Sequence, residues 1–113
     1  MNQRIEMEPR HRAIVAGILR RHVPGREVWV FGSRAAGRSR PYSDLDLAIG
    51  GDTPLPLSVM AALSDAFENS LLPFKVDVVD WATASDSFRQ IIAPARILFQ
   101  KRETGAGAAA EAR

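Results

Sequence analysis

The chain has no cysteine and only two histidines in 113 residues. Disulfides and thiolate metal sites are therefore excluded, and because His11 and His22 stand apart in sequence they offer no zinc cluster. No apolar run nears the roughly 20 residues of a membrane helix, and the polar stretch from Met1 to Arg12 lacks the apolar segment of a secretory signal. A soluble, cytoplasmic protein with no membrane partner is expected. Charge excess is scarce too, with 15 Lys+Arg against 13 Asp+Glu. The pI of 9.7 reflects arginine's dominance of the basic set, and so small an imbalance does not argue for a nucleic-acid partner. The length allows one core but no second, substrate-binding domain.

Proline and glycine divide what remains. Pro9 suits a first helical turn, and Ile14, Val15, Ile18, Leu19 and His22 recur at helical spacing until Pro24-Gly25 stops the run. His22 reads as a capping or half-buried residue rather than a general base. Residues 27–31 read as a buried strand and residues 44–49 as a second, closed by Gly50-Gly51. A helix over residues 58–70 presents Val59, Met60, Leu63 and Phe67, and Pro73 separates it from a third strand over 75–80. Ser85 or Asp86 would cap a last helix carrying Phe88, Ile91 and Ile92. Pro94 ends or kinks it, and the apolar segment 96–99 that follows has no assignable type. Trp29 and Trp81 are expected in the core. There is no internal repeat. Residues 101–113, rich in Ala and Gly without apolar periodicity, are expected to be a disordered tail behind a domain spanning 1–100.

One constellation carries chemistry. The first strand runs into Gly32-Ser33, and ten residues later the second opens with Asp44-Leu45-Asp46. Side chains alternate along a strand, so Asp44 and Asp46 point the same way, roughly 6.5 to 7 Å apart. Two carboxylates this close repel unless a cation or a proton compensates them. Gly32 leaves the backbone open to a ligand, and Ser33 offers an amide and a hydroxyl at a helix start that suits phosphate. Hard cations such as Mg²⁺ take carboxylate and phosphate oxygens together, which points to phosphoryl or nucleotidyl chemistry. The competing reading is a plain strand-to-helix turn with strand-end carboxylates neutralised by Arg34, Arg38 or Arg40. Arg34, beside the turn, is the best placed of these for phosphate, whereas Arg38 and Arg40 read equally well as solvated loop residues. Ser43 either steadies Asp44 or merely begins the strand. Asp77 and Asp80 stand on opposite faces of the third strand. Asp77, between Val76 and Val78, is the harder to explain structurally, while Asp80 at the strand end suits a solvated or capping role.

Gly32-Ser33, the ten residues 34–43 and Asp44-Leu45-Asp46 match without a gap the signature of the minimal nucleotidyltransferases (MNT) of the DNA polymerase beta-like superfamily. Arg34-Ala35-Ala36-Gly37-Arg38 resembles that family's loop. The string from Phe74 to Asp80 is similar to the strand bearing its third acid, which is the first aspartate of the string, Asp77. The resemblance runs to about Gln100 and implies an α/β fold with a small mixed sheet flanked by helices. It further implies transfer of a nucleoside monophosphate, AMP from ATP in the simplest case, to an acceptor hydroxyl. Asp44, Asp46 and Asp77 would be the catalytic and metal-ligating residues of a two-Mg²⁺ site, with Gly32, Ser33 and Arg34 on the phosphates. Minimal members often pair with a separately encoded helical HEPN protein in toxin–antitoxin modules and restrain that toxin, in some by adding AMP to a tyrosine. A HEPN-type protein and a nucleoside triphosphate are thus the implied partners, and homo-oligomerisation is compatible with the resemblance. Two other readings stay open: a non-catalytic module that restrains its partner, and a small-molecule enzyme like those that modify aminoglycosides. The latter needs an acceptor pocket from a second domain or subunit.

Overall fold

Alternation in the strands and four-residue spacing in the helices sort the apolar residues onto one core. Residues 4–103 are described by this computed structural model. Along the chain stand α1 (Pro9–His22), β1 (Val28–Phe31), α2 (Ser33–Ala36), β2 (Leu45–Ile49), α3 (Leu57–Glu68), β3 (Val76–Asp80), α4 (Asp86–Ile92) and β4 (Ile97–Gln100). A 3-10 turn, Trp81–Thr83, precedes α4. Proline opens α1, and Arg20, Arg21 and His22 occupy its last turn, where cations meet the negative end of the helix dipole. Val15 and Leu19 share one face of α1, as Leu63 and Phe67 do in α3, and these four residues are buried. Ser85 caps α4 by accepting from Phe88 N at 3.1 Å.

The sheet order is β3-β2-β1-β4. β1 pairs antiparallel with both β2 and β4, while β2 and β3 run parallel. A parallel pair needs a long crossover, and α3 supplies it. Val28 and Val30 of β1 and Leu45, Leu47 and Ile49 of β2 turn inward and are fully buried. Each such side chain contributes roughly 1.5–3 kcal/mol. The mixed α/β sheet flanked by helices is the architecture the sequence leads one to expect.

Two readings change in the folded chain. The segment of unassigned type becomes β4, placing Ile97 beside Val30 and Leu98 beside Trp29. The Gln100 side chain ties its end down by donating to Val23 O at 3.0 Å and Arg26 O at 3.1 Å. Trp29 and Trp81 are not core residues but lie half-buried against each other, ring centroids 5.2 Å apart. The Arg96 guanidinium covers Trp29 at 3.8 Å, an arrangement that suits an aromatic with one wet edge. Of the expected tail, residues 101–103 are exposed without regular structure, and 104–113 lie outside the described residues. Among the described residues no helix is long and apolar enough to cross a membrane.

Candidate active site

β1 delivers the chain to Gly32, whose φ of 77° and ψ of −156° lie in a region essentially restricted to glycine. A Cβ there would overlap Oδ2 of Asp46 and stand 3.2 Å from its Cγ. Strand register is the cause, because Phe31, the residue before Gly32, pairs with Asp46. Helix α2 lasts four residues before Gly37, at φ 75°, closes it. Ala35 N and Ala36 N donate to Gly32 O at 3.1 and 3.0 Å. The amides of Ser33 and Arg34 precede these, so the helix itself has no carbonyl for them.

Asp46 lies between the buried Leu45 and Leu47, and its side chain therefore faces away from the core. Across one side of β2 stands Phe31 and across the other, in register, Asp77. Asp44, exposed just before β2, shares that face by alternation. The fold thus brings Asp44, Asp46 and Asp77 together beside Gly32. Burial, followed by the charges of Asp77 and Asp44, pushes the Asp46 carboxyl above its ordinary value. Lys75, unremarked in the sequence, answers part of this charge with Nζ 3.7 Å from Asp77 Oδ1. At 72% exposure, water screens much of that attraction. Residues i and i+2 share a strand face, so alternation alone could have found this pair. Asp80 turns the other way. Its carboxylate accepts from Leu55 N at 2.9 Å and from Ala82 N at 3.3 Å, capping the 3-10 turn, and it is buried rather than solvated.

Arg34 departs from its expected place on phosphate. It is 4% exposed, and its Nε and Nη2 grip Ser43 O at 3.1 and 2.9 Å. Nη1 donates to Glu6 O at 2.7 Å and Nη2 also to Pro41 O at 3.1 Å. The guanidinium stacks 4.1 Å over Phe74. Burial lowers its pKa, with the Glu6 charge opposing. A guanidinium whose three nitrogens all donate to carbonyls is a clamp for the loop leading into Asp44, not a phosphate ligand. Glu6 completes the clamp: Ser39 bonds its carboxylate through hydroxyl and amide, which holds the Glu6 carboxyl below its ordinary value. No local signal marked Glu6, since it meets this loop only through tertiary packing. The Ser43 hydroxyl neither steadies Asp44 nor idles; it accepts from Arg40 N at 2.7 Å and closes the turn. Arg38 and Arg40 are exposed.

The donor set fits a hard cation. Carboxylate oxygens are the ligands Mg²⁺ prefers, and the repulsion at Asp46 is what such an ion relieves. Among the described residues no three carboxylate or imidazole side chains are gathered tightly enough to enclose an ion by themselves. That suits Mg²⁺, which is commonly held by one or two carboxylates with substrate phosphates and water.

Residues 15–104 match the family described as Polymerase beta, Nucleotidyltransferase. A curated Haemophilus influenzae protein named "Probable protein adenylyltransferase MntA" is 43% identical over 99 residues, 88% of this chain and 87% of its own length. Among solved structures, a toxin–antitoxin complex with AMP-PNP aligns at a TM-score of 0.67 with 23% identity, over 83% of this chain and 76% of that one. A tri-AMPylated Shewanella oneidensis HEPN toxin in complex with MNT antitoxin aligns at 0.58 with 20% identity, over 90% of this chain and 79% of the other. At those identities the two structures establish the shared fold.

Proposed function

The chain belongs to the polymerase beta nucleotidyltransferase family, and on that premise we propose that it transfers AMP from ATP to a hydroxyl of a partner protein. We take the partner to be a HEPN-type toxin that the chain restrains as its antitoxin, in the cytoplasm, where ATP and Mg²⁺ are at hand. The observation that carries the reading is the register that sets Phe31, Asp46 and Asp77 side by side next to Gly32. The name of the Haemophilus relative and the AMPylated toxin in the Shewanella complex support the choice of acceptor.

In this reading Gly32 and Ser33 receive the terminal phosphates, glycine because nothing projects between backbone and ligand. Asp44, Asp46 and Asp77 would hold Mg²⁺ together with phosphate oxygens and water. When bound, the metal neutralises phosphate charge and makes the acceptor hydroxyl more acidic. The hydroxyl oxygen bonds to the α-phosphorus as the bond to pyrophosphate breaks, and Asp77 takes the hydroxyl proton. Arg34 and Glu6 act at a distance by fixing the loop that ends at Asp44.

The test is incubation of the chain, the product of its neighbouring gene and ATP labelled at the α-phosphate, with Mg²⁺ or with EDTA. Label should enter the partner with Mg²⁺ alone and vanish in Asp44→Asn/Asp46→Asn. A partner that binds and loses its activity without label under any nucleotide or divalent metal would replace this reading with that of a non-catalytic binding module.

A further inference from the structure

β3 lies at the edge of the sheet, with β2 on one side and no strand on the other among the described residues. Lys75 O points inward and accepts from Leu45 N. Backbone groups alternate along a strand, so the N–H and C=O of Val76 and Val78 point out of the sheet. A groove of about 600 Å³ runs along this edge below the end of α3. One wall is built from Phe67, Leu72, Val76 and Val78, with the exposed Ser64 and Glu68 of α3 along it, while Lys75 and Asp77 stand on the other side. Asp77 belongs both to this groove and to the carboxylate cluster.

We propose that this edge receives the acceptor itself: an extended segment of the partner protein, added to β3 as a further strand, with a hydroxyl residue between two apolar neighbours. This rests on the nucleotidyl-transfer reading and narrows its acceptor. In an added strand, the side chain next to Asp77 stands on the carboxylate face at roughly 5 Å. Its neighbours in sequence point to the opposite face, where the apolar wall of the groove meets them. A hydroxyl in the middle position reaches the reacting groups, and an uncharged amide in either flanking position gives up the apolar contact with Leu72, Val76 and Val78. Main-chain bonds to Val76 and Val78 give affinity, and the alternation gives selection.

Other occupants fit less well. Two copies joined β3 to β3 set acidic strands carrying Asp77 and Asp80 against each other. Residues 101–103, which follow β4 at the far edge of the sheet, carry no hydroxyl.

Short fluorescent peptides with a central tyrosine flanked by valines, or by asparagines, test this against the full chain. Binding is read by anisotropy, and transfer by label from ATP with Mg²⁺. The valine peptide should bind and be labelled. Asparagine flanks, or N-methylation of the peptide backbone, should weaken binding about tenfold or more. Leu72→Asp, which charges the apolar wall, should lose a similar factor, with ATP affinity in Mg²⁺ as the check on folding. Val78→Pro should do the same, since it removes an outward N–H and leaves the ladder to β2 intact. Equal binding of the two peptides, no binding of either, or undiminished binding to a folded Leu72→Asp overturns the proposal. So does a dimer in sedimentation that Leu72→Asp dissolves, which would make a second copy the occupant. Binding with this pattern but no label on any peptide would instead sink the nucleotidyl-transfer reading and leave the groove assignment standing.

Discussion

Gly32→Ala should damage both stability and chemistry, by amounts the geometry allows one to work out. The first penalty is conformational. At φ 77° and ψ −156° a residue with a side chain is strained by about 1–3 kcal/mol. The second is contact with Asp46, whose Oδ2 occupies the place of the new Cβ and whose Cγ lies 3.2 Å from it. Pairing with Phe31 fixes the backbone of Asp46, so its side chain must turn off its rotamer, at about 0.5–1.5 kcal/mol. Together these come to about 2–4 kcal/mol, which for a domain of this size lowers Tm by roughly 8–16 °C. The carboxylate moves by on the order of 1 Å, enough to slow transfer about 100-fold in the surviving folded protein. Thermal melts and the rate of label transfer read the two effects separately. In an Asp46→Ala background, Gly32→Ala should keep only the conformational part, so the double-mutant cycle should show about 1 kcal/mol of coupling. A variant that melts within about 2 °C of the parent and keeps its rate would refute the reasoning. An unchanged penalty in the Asp46→Ala background would refute the carboxylate contact as its cause.

Asp77→Asn should abolish transfer without lowering Tm, whereas Asp80→Ala should lose about 2 kcal/mol in urea unfolding because the Leu55 and Ala82 amides lose their acceptor. The reverse pattern would exchange their roles. Arg34→Met should lose about 3 kcal/mol, since the carbonyls of Glu6, Pro41 and Ser43 lose a charged donor. A full-strength melt with a raised KM for ATP would instead return Arg34 to the phosphates. Asp46 supplies a pH test: its folded pKa lies above the unfolded one, so its contribution to stability is full below the unfolded value and is lost as pH rises through the folded value. In EDTA, Asp46→Asn should therefore melt above the parent at neutral pH, and the gap should close below about pH 4. A variant less stable than the parent at neutral pH would contradict the crowding of charge at Asp46.

The elements and half of the site are local facts, and the amino-acid order alone determines them. Pro9, Pro24-Gly25 and Gly50-Gly51 punctuate the chain, and the apolar spacing between them placed α1, α3 and the first three strands within a residue or two of their observed bounds. The facing of Asp44 and Asp46 follows from strand alternation, and the need for glycine at position 32 from a turn between strand and helix. What only the tertiary structure decided depends on partners remote in sequence. Residues 96–99 carry too short an apolar run to choose a conformation, and pairing with β1 chose it for them. Its place between valines favoured Asp77 over Asp80, but the partners of each are tertiary: the register with β2 sets Asp77 beside Asp46, and the arrival of Leu55 ties Asp80 to the backbone. Beside Gly32-Ser33 the Arg34 fork suggests phosphate, yet folding delivers carbonyls from Glu6 and Ser43 to its donors. Carbonyls brought into a dry interior must be paired, so the buried guanidinium answers them and not the solvent-facing turn.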